Sequence, residues 1–332
     1  MPVKLNSIIK KIIKIGFPLV LGIVILYFLY KDTDFNELWL NIKDANWFIL
    51  VFSLIFGLSG NVIRGLRWEL LINPLGYSPK KSSLIYAVLG NYAVNFVLPR
   101  AGEIWRCGIV SKEEKIPFTK LIGTLIIDRL FDTIMVMFCL LLAFLSNAAL
   151  FYKNSDSFNL PEFLLSPLLY IVCVSIVVAL VLVLIFLKEN MIVKKTRTLL
   201  GGIWSDMKTV WNMKRKTRFL FYTFGIWVSY FLYFYITFFA FGFTAELGIA
   251  AGLFVFTLSS ISMGIPSNGG LGPWQATVVL GLCALMVSRE EATAFATAVF
   301  AIQSIWVVLC GLFGFLALSL KFRKKSSLPS SN

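Results

Sequence analysis

The sequence contains no histidine, which removes the commonest general base and the commonest transition-metal ligand. Charge is scarce as well: Asp, Glu, Lys and Arg make up 14% of 332 residues, while hydrophobic residues make up 58%. Soluble domains carry roughly a quarter charged residues, so with a mean hydropathy of +0.82 the chain reads as a polytopic membrane protein. Acidic residues are the scarcest charges, 17 against 31 Lys and Arg, for a formal charge of +14. In a membrane protein that excess marks cytoplasmic loops and contact with anionic lipid. No soluble basic domain is present to bind nucleic acid, so no nucleic-acid partner is expected. The five cysteines, Cys107, Cys139, Cys173, Cys283 and Cys310, all lie in or beside apolar runs without a CxxC, which implies neither a disulfide framework nor a metal site. There is also no GxSxG and no carboxylate-rich metal signature. No metal or cofactor is expected.

What the chain does have is long apolar runs. Stretches able to cross about 30 Å of hydrocarbon lie near residues 12–30, 46–66, 121–148, 165–188, 218–242 and 292–320. The first follows Lys4, Lys10, Lys11 and Lys14 and has no small-residue cleavage site after it, so it reads as an uncleaved span. Two more apolar regions, 82–110 and 247–287, are interrupted by LPRAGE and IPSNGGLGP. Loop charges assign sides. The stretch from Lys31 to Asn46 holds Asp32, Asp34, Glu37 and Asp44 against Lys31 and Lys43, and residues 151–162 hold one Lys and two acids, so both read as external. Residues 64–81 with four cations, 188–218 with nine and the KFRKK tail with four read as cytoplasmic. This alternation holds only if each broken region enters and leaves on one side. The expected fold is therefore all-α, with six full transmembrane helices and two re-entrant helical hairpins of opposite orientation. A short internal repeat agrees: Leu98-Pro99-x-x-Gly102 with Trp105 parallels Ile265-Pro266-x-x-Gly269 with Trp274, and Glu113-Glu114 with Phe118 parallels Glu290-Glu291 with Phe295. Inverted repeats with broken helices are common in transporters.

Residues 1–320 are expected to form one transmembrane domain. Within it, 194–218 reads as a cytoplasmic amphipathic linker helix, with Leu200, Ile203, Met207, Val210 and Trp211 on one side, or as a solvated linker. Residues 321–332 read as a basic disordered tail.

The intramembrane ions carry the functional argument, because each costs on the order of 3 kcal/mol at the centre of a membrane helix. Arg100, Glu103 and Arg106 follow a break at Pro99 and Gly102, and their i, i+3, i+6 spacing lets Glu103 pair with either arginine and leaves one guanidinium for a ligand. A guanidinium in a wet pocket suits a phosphate, which it grips bidentately. Snorkelling to the headgroups is the plainer alternative. Arg64 and Arg67 end one span, Asn91 and Asn95 lie a turn apart, and Thr124, Asp128 and Asp132 share a face with Arg129 beside them. These residues read equally as ligand contacts or as an internal salt-bridge network. In the second hairpin Ser259, Ser260, Ser262, Asn268 and Gln275 offer uncharged hydrogen bonds. Pro266, Gly269, Gly270 and Gly272 mark the break there, and small residues also serve plain helix packing.

The ordered set RGLRWELL (64–71), NYAVNFVLPRAGEIWR (91–106), GTLIIDRLFD (123–132) and IPSNGGLGPWQA (265–276) resembles the transmembrane domain of the lysyl-phosphatidylglycerol synthases, a flippase-like membrane family. The resemblance implies Arg64, Asn95, Arg100, Glu103, Arg106, Asp128 and Arg129 as site residues, with Pro99, Gly102, Gly269, Gly270 and Gly272 shaping the breaks. Asn268 and Gln275 join the candidate site on their own chemistry. Many relatives place an acidic residue where this chain has Gln275. The synthases' cytosolic domain has no counterpart in these residues, so lysyl transfer is not expected. The expected activity is translocation of a lipid or glycolipid with an anionic headgroup across the bacterial inner membrane, in a multi-pass protein with cytoplasmic termini. Rival readings are an integral-membrane transferase acting on a lipid phosphate, and a non-catalytic partner of a cytosolic lipid-modifying enzyme.

Overall fold

A computed structural model of the chain describes residues 2–31, 33–147, 213 and 215–326. Among the described residues, 2–147 and 217–326 belong to one compact unit. The predicted span at 165–188 and nearly all of the 194–218 linker lie outside the described residues.

The described structure is helical, without a strand. The helices are α1 (Pro2–Tyr30), α2 (Phe35–Lys43), α3 (Trp47–Ile72), α4 (Lys81–Val97), α5 (Ala101–Glu114), α6 (Phe118–Ser146), α7 (Lys216–Tyr235), α8 (Gly242–Ala245), α9 (Ile249–Ser262), α10 (Pro273–Cys283) and α11 (Arg289–Ser326). Among the described residues three helical segments are long and apolar enough to cross a membrane: Trp47–Leu75, Lys216–Ala240 and Arg289–Lys321. Gly16–Tyr30 with Phe35–Lys43, bent by 95° between them, makes a fourth if the pair counts as one. The 29-residue α6 is as long as the first of these but brings Lys120, Asp128, Arg129 and Asp132 in its first half.

Local chemistry explains the ends. Asp34 starts α2 by accepting from Asn36 N at 2.8 Å, and Asn46 starts α3 by accepting from Phe48 N at 3.1 Å. Such caps satisfy amides that the first turn leaves without a partner. α4 stops at Val97 because Pro99 cannot continue it and biases Leu98 to extended backbone. Arg100 then turns the chain in the left-handed region, at φ 60°. The second break runs from Met263 to Gly272, with Gly269, Gly270 and Gly272 at φ 62°, 90° and 87°, values that suit glycine because it has no Cβ.

At each break the chain reverses and the flanking helices pack on each other, α4 on α5 and α9 on α10. The two breaks also touch. Arg100 Nη2 donates to the Gly264 carbonyl, and Asn268 Nδ2 donates to the Phe96 and Val97 carbonyls at 3.1 and 3.3 Å. Around them α11 packs on α4, α10, α2 and α3, while α6 packs on α9, α5 and α3.

Large apolar side chains lie on the outside of the described structure, and a group of ions lies inside it. Leu141, Leu145, Leu312 and Leu316 are exposed, whereas Arg64, Arg67, Arg106 and Asp128 are buried. That inversion suits a protein whose surroundings are hydrocarbon. One apolar core is aromatic: the Phe295 ring lies 5.2 Å from Phe241, 5.3 Å from Phe238 and 6.0 Å from Phe234.

Candidate functional site

Three helices each bring ions to one place. On α3, Arg64 and Arg67 sit at i, i+3; on α5, Glu103 and Arg106 do the same; on α6, Asp128 and Asp132 stand one turn apart with Arg129 beside them. Residues three or four apart share a helix face, so each helix presents its ions in one direction. Arg67 Nη2 lies 2.5 Å from Asp128 Oδ1 and 2.8 Å from Asp132 Oδ1. Arg64 Nη1 lies 2.6 Å from Asp132 Oδ2 and 3.5 Å from Asp128 Oδ2, and Arg106 Nη2 lies 3.0 Å from Asp128 Oδ2. Arg129 Nε reaches Glu103 Oε1 at 2.9 Å, and its Nη1 reaches Asp132 at 3.3 Å.

Aromatic rings close the cluster. The Arg106 guanidinium lies 4.7 Å from the Trp68 ring centroid, and Trp68 Nε1 donates to Thr124 at 2.9 Å. Arg67 lies 5.7 Å from Phe219 and donates to Thr223 at 3.2 Å. Four arginines face three carboxylates here, so the cluster carries one excess positive charge. It is also short of acceptors: Arg67 Nε, Arg106 Nε and Arg106 Nη1 are buried without a hydrogen-bond partner among the described residues. Burial divides the set. The side chains of Arg67, Arg106 and Asp128 are 0% exposed, while that of Arg129 is 38% exposed.

Arg64, Arg129 and Asp132 line a cavity of about 620 Å³. Asn61, Tyr92 and Tyr230 add a neutral polar wall to it. Arg64 Nε donates to the Tyr230 hydroxyl at 3.2 Å, Tyr230 donates to Asn61 Oδ1 at 2.9 Å, and Tyr92 lies 2.9 Å from Tyr230. Because the one Tyr230 proton goes to Asn61, the Tyr92 hydroxyl supplies the proton of the third bond. Glycines on α3 make room for this wall: a Cβ at Gly60 would lie 2.6 Å from Tyr230, and one at Gly57 would lie 2.9 Å from Tyr233. α9 and α11 contribute Ser259, Ser260, Gln303 and Ser304, and Trp227, Phe256, Trp274 and Phe300 supply apolar surface.

The predicted site residues separate into three groups. Arg64 and Arg129 line the cavity, as does Gly269. Arg106 and Asp128 lie in the buried ion cluster behind them. Glu103 joins the cluster through Arg129, and the others lie at the breaks. Asn95 accepts from Gly102 N at 2.8 Å, Gln275 accepts from Gly272 N at 2.7 Å, and Asn268 ties the second break to the first. Arg100 is exposed and bound to the carbonyl of Gly264, a residue that lines the cavity, but is not itself among the lining residues.

Glu103 corrects the expected pairing. Its partner is Arg129 on α6, because α5 packs against α6 and Arg106 is drawn to Asp128. Arg67 and Asp132, read from the sequence as ligand contacts or members of an internal salt-bridge network, meet each other at 2.8 Å in the cluster. Their i, i+3 and i, i+4 spacing to Arg64 and Asp128 was the available signal. Asn61 shares a helix face with Arg64, but nothing in the sequence marks Tyr92 or Tyr230.

Residues 15–311 match the family described as the lysylphosphatidylglycerol synthase TM region. A UPF0104 membrane protein of Methanocaldococcus jannaschii is 29% identical over 92 residues, which is 27% of this chain and 27% of that protein. No solved structure matches.

Proposed function

The chain belongs to the lysylphosphatidylglycerol synthase transmembrane-region family, and we propose that it moves a lipid with an anionic headgroup between the leaflets of a bacterial inner membrane. The observation that carries this reading is a cavity of about 620 Å³ with two guanidinium groups, Arg64 and Arg129, on its wall, both belonging to an ion cluster whose four arginines outnumber its three carboxylates by one. A phosphate in that cavity meets planar donors in surroundings of low dielectric, where charge-assisted hydrogen bonds are strong. Arg129 is the contact for the headgroup, since its side chain is the most exposed of the cluster cations. Glu103, Asp132 and Asp128 hold it in place. The tails stay in lipid while the headgroup crosses.

Six spans, two opposed re-entrant hairpins in an inverted repeat and cytoplasmic termini complete the proposal. Two helix pairs that reverse at Pro- and Gly-containing breaks and touch at those breaks favour it. Purified protein in liposomes with tail-labelled anionic phospholipid tests the function. Arg129→Ala should slow leaflet exchange at least tenfold while the melting temperature moves by only a few degrees. Arg129→Lys should recover part of the rate, because an ammonium cannot reproduce the planar fork. Wild-type exchange by a stably folded Arg129→Ala protein overturns the site. Conversion of the labelled lipid to a new species assigns a transferase instead.

A further inference from the structure

Two sets of cavity side chains differ in the hydrogen bonds they offer, Asn61, Arg64 and Arg129 on one hand and Ser259, Ser260 and Gln303 on the other. On α3, Asn61 has its Oδ1 occupied by Tyr230, and none of the described bonds uses its Nδ2, so it offers N–H groups. Together with Arg64 and Arg129 this makes a set of donors. Asp132 is the cavity's carboxylate, yet both its oxygens are held by Arg64, Arg67 and Arg129.

α9 and α11 supply the opposite chemistry. Ser259 and Ser260 each spend their hydroxyl proton on the Phe256 carbonyl, at 2.8 Å in both cases, which leaves oxygen lone pairs. Gln303 Nε2 donates to the Tyr233 carbonyl at 3.2 Å, which orients its Oε1 as an acceptor. A bare phosphate is all acceptors and satisfies only the arginine side. An ammonium needs a carboxylate, and the one in the cavity is already committed within a net positive cluster.

Resting on the translocase reading, we propose that the cavity takes a phosphodiester whose headgroup carries uncharged hydroxyls, a glycerol or sugar phosphate ester. Its phosphate meets Arg64, Arg129 and Asn61, and its hydroxyls donate to Ser259, Ser260 and Gln303. Aminoacylated and unsubstituted headgroups are disfavoured.

Liposomes containing the full chain and one tail-labelled probe at a time test this. The probes are phosphatidylglycerol, phosphatidic acid and the lysine ester of phosphatidylglycerol. Phosphatidylglycerol should exchange about five- to tenfold faster than phosphatidic acid, the scale of one or two neutral hydrogen bonds, and faster than the lysine ester. Ser260→Ala with Gln303→Met should bring the phosphatidylglycerol to phosphatidic acid ratio within about twofold of one. The wild-type comparison alone remains decisive if that variant does not fold. Equal exchange of phosphatidic acid, or faster exchange of the lysine ester, overturns the headgroup assignment and leaves the translocase reading standing. No exchange of any probe overturns the translocase reading itself. Suppression of lipid exchange by a large excess of soluble glycerol phosphate assigns the site to soluble phosphate esters and overturns a lipid ligand.

Discussion

Arg67 and Arg100 are chemically identical side chains with unlike consequences, because burial decides what a guanidinium costs. Arg67 is 0% exposed and bridges both aspartates of α6. Removing one member of a buried ion network leaves opposite charge uncompensated, at about 3–5 kcal/mol. Arg67→Ala should therefore lower the melting temperature sharply and reduce the yield of folded protein. Arg100 is exposed, and its described bond is a donation to the Gly264 carbonyl. Arg100→Ala should cost about 1 kcal/mol or less. Arg100→Gly should melt no lower than Arg100→Ala, since glycine adopts φ near 60° without a steric penalty. Melting curves of the three purified variants in one detergent check this order; an Arg100→Ala protein less stable than Arg67→Ala contradicts it. Ions inside a membrane domain are rare enough to stand out in a sequence, so Arg64, Arg106, Asp128 and Arg129 were legible as members of one constellation. One partner was legible too, Asp132 three residues after Arg129, which it meets at 3.3 Å; the others were not. The pairing of Glu103 with Arg129 depends on the packing of α5 on α6, which helical spacing along one chain segment does not encode.

At the scale of elements, the α4–α5 reversal depends on Gly102. A Cβ there would lie 2.1 Å from the Asn91 carbonyl oxygen and 2.8 Å from Asn95 Oδ1, the atom that accepts from Gly102 N. Backbone cannot swing aside as a flexible side chain does. Gly102→Ala should therefore reach or exceed the 1–3 kcal/mol usual for overpacking. Gly108 has open space around it, so Gly108→Ala should be close to neutral. Thermal melting of both variants tests whether the close approach, rather than any glycine in α5, holds the hairpin shut. The breaks were readable in advance: LPRAGE and IPSNGGLGP fall where α4 gives way to α5 and α9 to α10. α2 was not. Its Asp34, Glu37 and Lys43 made Lys31 to Asn46 read as an external loop, yet Leu38 and Ile42 are buried and α2 packs on α11. A nine-residue helix is marginal alone, so tertiary packing decides it.

For the whole molecule, one long helix relates the two ends. Lys321 Nζ, in the last turns of α11, lies 2.8 Å from Glu113 Oε1 near the end of α5. Ser83, at the start of α4, donates to the same Glu113 Oε1 at 2.9 Å, so both ends of the first hairpin gather at this end of α11. Arg289 begins the same helix. At about 1.5 Å rise per residue, the continuous helix separates Arg289 from Lys321 by about 48 Å, well beyond the roughly 30 Å of hydrocarbon. If α11 spans the membrane, Lys112 and Arg289 must face opposite compartments. The Lys321 end carries the KFRKK cluster, and the proposed topology puts it in the cytoplasm on the positive-inside rule. Single cysteines introduced as Lys112→Cys and Arg289→Cys, in a chain whose five native cysteines have been replaced, read this out. A membrane-impermeant maleimide should label Arg289→Cys in intact cells and Lys112→Cys only after the inner leaflet is opened. Labelling of both from the same side would remove the opposed hairpins, because α5 and α11 could not then end where the Lys321–Glu113 pair holds them together.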